Sequence, residues 1–297
     1  MTVIESFRMN RSAHNYKMNS LYKMVGISKQ GHYKRLKLHK ESVDRQDCII
    51  ASAANLRLDH KKMGCRKIFD EIKPCGMGRD RTEKLLLDNG FRIPRKRNYR
   101  RTTYAGDRFY KNHISGIELL KKDQVYVSDI TYIPVGYKDH YYLTLVLDVY
   151  SRKITGWSLS STMQTHDTVY KAFLQATNGM SQDQRSSLIF HSDKGSQYGS
   201  DLMKEVFKTT GVTPSMGGKA WENAHAESLN GILKNEYINF IHKKVTLNQA
   251  TKMMTRWIYL YNNKRPHGSL GNMKPNEFET YVDHLSEQQK PKFKINY

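Results

Sequence analysis

Residues 125–160 contain three consecutive segments that are typical of β-strands joined by short turns. The first, VYVSDITYIPV (125–135), alternates along its length and is rich in β-branched and aromatic residues. A hairpin loop is expected at 136–139, and HYYLTLVLDVY (140–150) and KITGWSLS (153–160) supply two more strands. Since strands joined by such short turns pair antiparallel, this stretch predicts a three-stranded meander.

The segments that follow predict that further strands extend the same sheet. We expect a helix near 166–177, a strand over 187–191, a helix near 199–210, a strand over 211–216 and a helix from about Asn223 to Tyr237. This β-β-β-α-β-α-β-α order predicts an α/β fold with a ribonuclease-H-like mixed sheet rather than a doubly wound parallel sheet. In such a sheet the first and fourth strands lie side by side.

Basic residues are concentrated in the first part of the chain. Residues 1–122 carry 29 Lys and Arg against 12 Asp and Glu, which accounts for most of the net charge of +21. A basic region beside a nearly balanced one indicates a polyanion partner, and nucleic acid is favoured over a basic surface that only aids solubility.

Other compositional features exclude several classes of protein. No apolar run approaches the roughly 20 residues that span a bilayer, and the N-terminus lacks a signal-peptide core. We therefore expect a cytoplasmic protein with no membrane partner. Three cysteines without a CxxC pair predict neither a disulfide framework nor a zinc site.

The basic region contains several short helical patterns. Residues 18–37 predict two short helices, with Ser28 as the N-cap of the second. A further helix is expected over 43–58, with one face formed by Val43, Ile50, Ala54 and Leu58.

Residues 63–91 predict a helix-turn-helix. Ile68 and Ile72 share one helical face, a turn follows at 74–78, and the second helix ends at Asn89-Gly90. The outward side of the second helix supplies candidate DNA contacts, Arg79, Arg81 and Lys84. A helical hairpin with ordinary basic solvation is the alternative.

The segment IPRKRNYRRTTY (93–104) has no apolar period and is interpreted as an extended linker. Five positive charges in seven positions would follow DNA phosphates and make binding depend on salt. These charges add to the candidate DNA-binding residues Arg95, Lys96, Arg97, Arg100 and Arg101. A solvated inter-domain linker is the alternative.

Three acidic residues stand out by their positions in the expected core. Asp129 lies inside the first strand, Asp193 ends the fourth strand, and Glu227 lies early in the last helix of the core, which starts at about Asn223. Carboxylates that meet at a sheet edge are tolerated only when a cation or another partner compensates their charge. Ligands that are all oxygen favour Mg²⁺ or Mn²⁺, and two such ions would support displacement at phosphorus. The three residues are therefore candidate catalytic and metal-binding groups.

Neighbouring polar residues each have more than one interpretation. Asp148, in the second strand, is expected to cap the turn that follows it. His191 and Asn223 either support the site or form turns. Lys234, two helical turns beyond Glu227, either holds a DNA end or is solvated.

Three strings, VSDITYI, HSDKGSQY and ENAHAESLNGILKNE, together resemble the integrase-type core of bacterial insertion-sequence transposases. The most similar group is the OrfB type, which is encoded by the second frame of two-frame elements and is akin to retroviral integrases. The resemblance implies that Asp129, Asp193 and Glu227 form a metal-binding Asp-Asp-Glu triad. The 34 residues from Asp193 to Glu227 are close to the customary spacing. The resemblance covers about residues 18–280, including the string YNNKRPHGSLGNMKP (261–275).

The chain departs from the family pattern at three places. Tyr126 replaces the usual Trp, Glu222 replaces the usual Asp, and the loop over 217–221 is shorter by a residue or two. Since Glu222 puts a second acid near Glu227, it is a rival for the role of third ligand.

The resemblance implies a DNA transposase that binds terminal inverted repeats and catalyses metal-dependent strand cleavage and strand transfer. It also implies a homo-oligomeric synaptic complex, target DNA, an upstream-frame protein or fusion with it, and a place at the bacterial nucleoid. Two alternatives stay open: a ribonuclease-H-superfamily nuclease that acts on RNA–DNA hybrids, and a catalytically silent DNA-binding regulator.

Four regions are expected: a helical DNA-binding region (1–92), a basic linker (93–122), a catalytic core (123–240) and a helical C-terminal extension (241–297). The extension contains an amphipathic helix over 245–262, expected to pack on the core or on another subunit through Ala250, Met253, Met254, Trp257 and Tyr261. The segment 265–267 is expected to end this helix rather than touch DNA, and the polar tail from 286 is expected to be mobile.

Overall fold

A computed structural model describes residues 17–93, 109–135, 139–238 and 245–296 of the 297-residue chain. Five of the candidate DNA-binding residues lie outside these ranges, as does most of the expected hairpin loop at 136–139. Those five residues are Arg95, Lys96, Arg97, Arg100 and Arg101.

The N-terminal part consists of helices α1 (Met18–Met24), α2 (Lys29–Asp59), α3 (Cys65–Ile72) and α4 (Arg79–Asp88). The hydroxyl of Ser28 accepts a hydrogen bond from the Gly31 amide at 2.9 Å, which confirms the predicted N-cap. The prediction of separate helices over 28–37 and 43–58 is wrong, because α2 is continuous over 31 residues.

The buried face of α2 also differs from the predicted one. Ile49 and Ala53 are buried, whereas Val43 and Leu58 are exposed. The core position thus lies one residue earlier than Ile50 and Ala54, on the side of α2 that shares a core with α3 and α4.

Helices α3 and α4 lie where two helices joined by a turn were predicted, and the choice between a helix-turn-helix and a helical hairpin stays a prediction. Ile68 and Leu86 are fully buried in a core shared with α2. The turn contains Gly76 at a positive φ of 74°, and α4 ends at Asn89 before Gly90, whose φ is 83°. The outward residues Arg79, Arg81 and Lys84 are exposed.

The next part of the chain builds a mixed sheet covered by helices. Its elements are β1 (Glu118–Leu119), β2 (Val125–Val135), β3 (Asp139–Asp148), β4 (Ile154–Ser160), a π-helical turn (His166–Tyr170) that continues into α5 (Lys171–Ala176), α6 (Gln182–Ser187), β5 (Ile189–Ser192), α7 (Asp201–Thr210), β6 (Thr213–Met216), a 3-10 turn (Ala220–Asn223) and α8 (Ala224–Glu236).

The five-stranded sheet has the order β4-β3-β2-β5-β6, with β2 to β4 antiparallel and β5 and β6 parallel to β2. This is the predicted ribonuclease-H-like arrangement, with the first strand of the meander next to the fourth strand. The prediction missed the short helix α6, and the strand that it started at 187 begins at Ile189.

Each face of the sheet carries its own apolar core. Val125 and Val127 of β2 face one core with Leu229 of α8, whereas Tyr126 faces the other core with Phe173 of α5. Because successive strand residues point to opposite faces, Asp129 falls on the face that α8 covers.

The C-terminal part contains α9 (Leu247–Asn263), a 3-10 turn (Gly268–Leu270), α10 (Pro275–Asp283) and β7 (Phe293–Lys294). Met254 and Tyr261 of α9 and Phe278 of α10 are buried in the same core as α8, so the predicted packing of the amphipathic helix is confirmed. The four-region division of the chain stays a prediction.

The prediction that the polar tail is mobile is wrong. Strand β7 pairs antiparallel with β1, and Ile295 after it is 2% exposed. The pairing partner lies about 175 residues earlier in the chain, so local composition could not reveal it.

Within the described parts of the chain, none of the helices is both long and apolar enough to cross a membrane.

We predict that Gly156→Ala destabilises the fold. A Cβ at this position of β4 would lie 2.2 Å from the Ala172 carbonyl oxygen and 2.7 Å from the Ala176 amide nitrogen of α5. Both are backbone atoms, so the helix must move, at a cost of about 2 kcal/mol or more in the free energy of unfolding.

Urea unfolding measures this cost, with Gly231→Ala in α8 as the matched control. A Cβ at Gly231 meets nothing within 4 Å, so that variant should gain up to about 1 kcal/mol. Equal stability of the two variants would contradict the close packing of α5 on β4.

Candidate functional site

Strand pairing brings Asp129 and Asp193 together. Strand β2 pairs with β5 in parallel register up to Ser128 opposite Ser192. Asp129 directly follows Ser128, Asp193 directly follows Ser192, and both aspartates are half-buried. The site therefore lies at the carboxyl end of β5, where the predicted fold placed it.

Backbone and side-chain donors hold the two carboxylates. Asp129 Oδ1 accepts from the Ile130 amide at 2.9 Å, and its Oδ2 accepts from Asn230 Nδ2 at 2.6 Å. Asp193 Oδ1 accepts from the Gly195 amide at 3.0 Å. These bonds fix the side-chain orientations at the sheet edge.

Burial and like charge make this pair of carboxylates electrostatically unfavourable. Burial, followed by the negative charge of Asp193, raises the pKa of Asp129 from 3.8 to about 7. Burial likewise raises the pKa of Asp193. Each carboxylate thus holds its proton more tightly than usual, and a bound cation would relieve the same strain.

One face of α8 is directed toward this pair. Asn230 contacts Asp129 directly. Partial burial and the charge of Asp193 raise the pKa of the exposed residue Glu227. Burial lowers the pKa of the half-buried Lys234, and the charge of Asp129 opposes this shift. Glu227, Asn230 and Lys234 are spaced i, i+3 and i+7, so they share a helical face.

The three acids of the predicted triad do not stand as one ligand cluster. Among the residues that the structure describes, no group of three or more His, Cys, Asp or Glu side chains lies close enough to hold a metal ion. Asp129 and Asp193 are adjacent, and Glu227 is within electrostatic reach of Asp193.

The donor set nevertheless suits a hard divalent ion. Its charged groups are carboxylates, and the side-chain oxygens of Asn230 and Asn223 are buried without a hydrogen-bond partner in the described part of the chain. Such unpaired buried oxygens are costly unless water or an ion meets them. Oxygen ligands of this kind fit Mg²⁺ or Mn²⁺.

His191 and Asn223 both tie the start of α8 to the sheet. Asn223 Nδ2 donates to the Ser128 carbonyl at 3.0 Å, next to Asp129. His191 bonds Ser215 Oγ at 2.8 Å through Nδ1 and the Glu222 carbonyl at 2.9 Å through Nε2. Burial lowers the pKa of His191 to about 4, so it stays neutral. Of the two predicted roles, these contacts match support of the site.

Gly195 and Tyr198 explain the small residues after Asp193. A Cβ at Gly195 would lie 3.1 Å from Asp193 Oδ1 and 3.2 Å from the Tyr198 ring. The buried Tyr198 hydroxyl in turn bonds Ser128 Oγ at 2.9 Å. The segment therefore folds back tightly beneath the two aspartates.

Glu222 before α8 and Asp148 at the end of β3, opposite Tyr126, both have structural partners. The carboxylate of Glu222 accepts from the Gly218 amide at 2.6 Å and from Asn112 Nδ2 at 3.0 Å. Asp148 is fully buried and accepts from the amides of Tyr150 and Ser151 and from Ser151 Oγ. The predicted turn-capping role of Asp148 is confirmed, and Glu222 anchors the loop before α8.

Two functional features were missed by sequence reasoning. Asn230 lies one turn beyond Glu227 on the same helical face, which is a signal that could have identified it. Arg265 gave no such signal, because its partner Glu236 lies on α8; the side chains form a buried bidentate ion pair with Nε–Oε2 and Nη2–Oε1 distances of 2.9 and 2.7 Å.

The part of the chain that contains the site is similar to a known protein family. Two models described as integrase core domain match residues 120–220 and 210–275. The transposase for insertion sequence element IS904 of Lactococcus lactis is 39% identical over 162 residues, which cover 54% of this chain and 62% of that protein.

A second relative matches over a longer stretch. The transposase for insertion sequence element IS629 of Shigella sonnei is 32% identical over 233 residues, covering 74% of this chain and 75% of that protein. Among solved structures, the integrase catalytic core domain of HTLV-2 in complex with magnesium is 17% identical, with a TM-score of 0.41, and the match covers 54% of this chain and 98% of that one.

We predict that Asp193→Asn makes stability less dependent on pH. In the unaltered protein the folded state binds protons more tightly than the unfolded state, because the pKa values of Asp129 and Asp193 are raised. The free energy of unfolding should therefore fall as pH rises from about 4 through about 7. Asp193→Asn removes one raised group and one charge beside the other.

Urea unfolding in a chelator, between about pH 5 and about pH 8, measures this difference. The matched control is Asp183→Asn at an exposed position of α6. Asp148 also has a raised pKa, but it is present in all three proteins. Parallel pH curves for Asp193→Asn and the control would rule out strain between the two aspartates.

Proposed function

Since the chain belongs to the OrfB-type insertion-sequence transposases, which carry an integrase core domain, we propose that it cleaves and joins DNA strands through Asp129, Asp193 and Glu227. The observation that carries the assignment of these residues is the pair of strained aspartates, Asp129 within β2 and Asp193 directly after β5. Glu227 is the third member, because burial and the charge of Asp193 raise its pKa, whereas the carboxylate of the rival Glu222 accepts a hydrogen bond from the Gly218 amide.

Each residue has a defined task in this proposal. Asp129, Asp193 and Glu227 would hold Mg²⁺ or Mn²⁺, most simply two ions, which supply activation of the attacking oxygen and stabilisation of the leaving oxygen. Asn230 orients the Asp129 carboxylate through its 2.6 Å hydrogen bond. Lys234, half-buried and within reach of the Asp129 charge, would hold a DNA phosphate against the site.

Recognition of DNA is assigned to the N-terminal part. Helix α4 presents Arg81 and Lys84 to solvent on the side away from the buried Thr82 and Leu86, and Arg79 is exposed in its first turn. This is the arrangement of a helix that can enter the major groove. The charges at 95–101 would follow the adjacent phosphates and increase the salt dependence of binding.

The DNA partners in this proposal are the terminal inverted repeats of the element and target DNA. Two DNA ends must meet for strand transfer, so the active form would be a homo-oligomer. An upstream-frame product, alone or fused to this chain, would be a further partner, and the protein would act at the bacterial nucleoid in the cytoplasm.

The central experiment is cleavage of DNA that carries the element's terminal repeat. We expect Mg²⁺-dependent nicking by the full chain, tested alone and fused to the upstream-frame product. Asp129→Asn, Asp193→Asn and Glu227→Gln should each lower the rate at least about a hundredfold, because each removes a charged ligand.

Glu222→Gln is the matched control, since its amide oxygen can still accept from Gly218 and Asn112. It should keep most of the activity. Specific binding without nicking would instead support the silent regulator, and cleavage of RNA–DNA hybrids independent of the repeat would support the nuclease. Loss of activity in Glu222→Gln but not in Glu227→Gln would reassign the third ligand.

Arg81→Gln should weaken binding to the terminal repeat without affecting the fold. If Arg81 contacts a phosphate, the slope of log affinity against log salt should fall by about 1, and a base contact should lower discrimination by about 1–3 kcal/mol. Fluorescence anisotropy over a salt series measures both. The control Lys208→Gln, exposed on α7, loses the same charge, and an equal effect there would place recognition outside α4.

A further inference from the structure

The N-terminal helices contact the far end of the helix that carries Glu227. His60, which follows α2, is 2% exposed, and its Nδ1 lies 2.8 Å from the hydroxyl of Tyr237, which directly follows α8. Tyr237 is also buried and stacks on Trp257 of α9 at 6.0 Å between ring centroids. The last turn of α8 is therefore held between α2 and α9.

Four more polar contacts join the same two parts of the chain. Each links the end of α2 or α3 to the C-terminal part, and each spans about 200 residues of sequence. They are Asp59 to Arg256 at 2.6 Å, Lys67 Nζ to the Pro266 carbonyl at 3.0 Å, Glu71 to Lys274 at 3.0 Å, and Asp70 to Asn272 at 2.9 Å.

The buried ion pair of Arg265 and Glu236 connects these contacts to α8. Glu236 is the last residue of α8, and its side chain is 10% exposed. Arg265 precedes Pro266, whose carbonyl accepts from Lys67 of α3. An ion pair that is buried and bidentate allows little displacement, because breaking it would leave an uncompensated charge. The contact of α3 with the Pro266 carbonyl therefore lies directly beside the ion pair that holds the end of α8.

The contact surface leaves the DNA-facing side of α4 open. Arg79, Arg81 and Lys84 are exposed and belong to none of the five contacts above. In the middle of α8, six residues before Glu236, Asn230 contacts Asp129. One helix thus contacts both the catalytic aspartate and the unit that carries the recognition helix.

We propose that this docking surface, formed by His60, Asp59 and Lys67 against Tyr237, Arg256 and Pro266, positions α8 in the active site when the N-terminal unit is seated. Asp59, His60, Arg256 and Tyr237 are positioning residues: they act through α8 and touch no DNA. The inference rests on the proposed function, since one of its readouts is strand cleavage.

Charge exchange between Asp59 and Arg256 tests the proposal, because both side chains are solvent-accessible, at 44% and 67%, and the fold should tolerate their replacement. Asp59→Arg and Arg256→Asp should each slow cleavage at saturating terminal-repeat DNA, by roughly fivefold. The double exchange restores an opposite-charge pair and should recover the rate to within about twofold.

The two single variants change net charge in opposite directions. An effect of charge on DNA affinity alone would therefore strengthen DNA binding by Asp59→Arg and weaken DNA binding by Arg256→Asp. The matched controls on α7, Glu205→Arg and Lys208→Asp, make the same charge changes at exposed positions. We expect each docking variant to bind terminal-repeat DNA as its control does and to differ from it in cleavage rate alone.

Hydrogen–deuterium exchange gives a readout that does not require cleavage. Amides at the end of α8, through Tyr237, should exchange faster in each single variant than in its control, and normally in the double exchange. Unchanged exchange and cleavage in the single variants, or a double variant no better than the worse single, would overturn the proposal. Absence of cleavage by the unaltered chain would count against the proposed function, and exchange would still decide the docking surface.

Discussion

The parallel pairing of β2 with β5 forces two carboxylates to be neighbours, and much of the remaining structure compensates for that constraint. Register puts Asp129 beside Asp193, and burial raises the pKa of both. A fold selected only for stability would not place two like charges side by side at neighbouring interior strands, where burial is high. Such a local cost is expected where a site must bind a cation and a polyanion.

Helix α8 links this strained edge to the rest of the molecule. Asn223 anchors its start to the strand of Asp129, Asn230 bonds the carboxylate itself, and Glu236 closes its end by the buried pair with Arg265. The helix is therefore fixed at three levels along its length. The C-terminal segment 261–275, which contains Arg265, therefore stabilises the position of α8 through this ion pair.

Much of the fold could be predicted, because β-strands and helix-turn-helix segments are encoded by local patterns. The meander, the neighbouring first and fourth strands, the Ser28 cap and the turn-capping role of Asp148 followed from period and position. The errors have two causes. The pairing of β7 with β1 depends on a contact far away in sequence, which leaves no local signal. The stretch between the two helices expected before 58 contains no Gly or Pro, so nothing local ends α2 there.

For this protein, the sequence by itself determined the class of fold, the concentration of basic residues in the first part of the chain and the acids that are candidates for metal binding. Tertiary structure alone decided which acids meet: Asp129 and Asp193 do, while Glu222 is held by Gly218 and Asn112. It also decided that Arg265 serves α8. Residue type and spacing encode what a side chain can do, but partners distant in sequence are chosen by packing, which only the folded chain specifies.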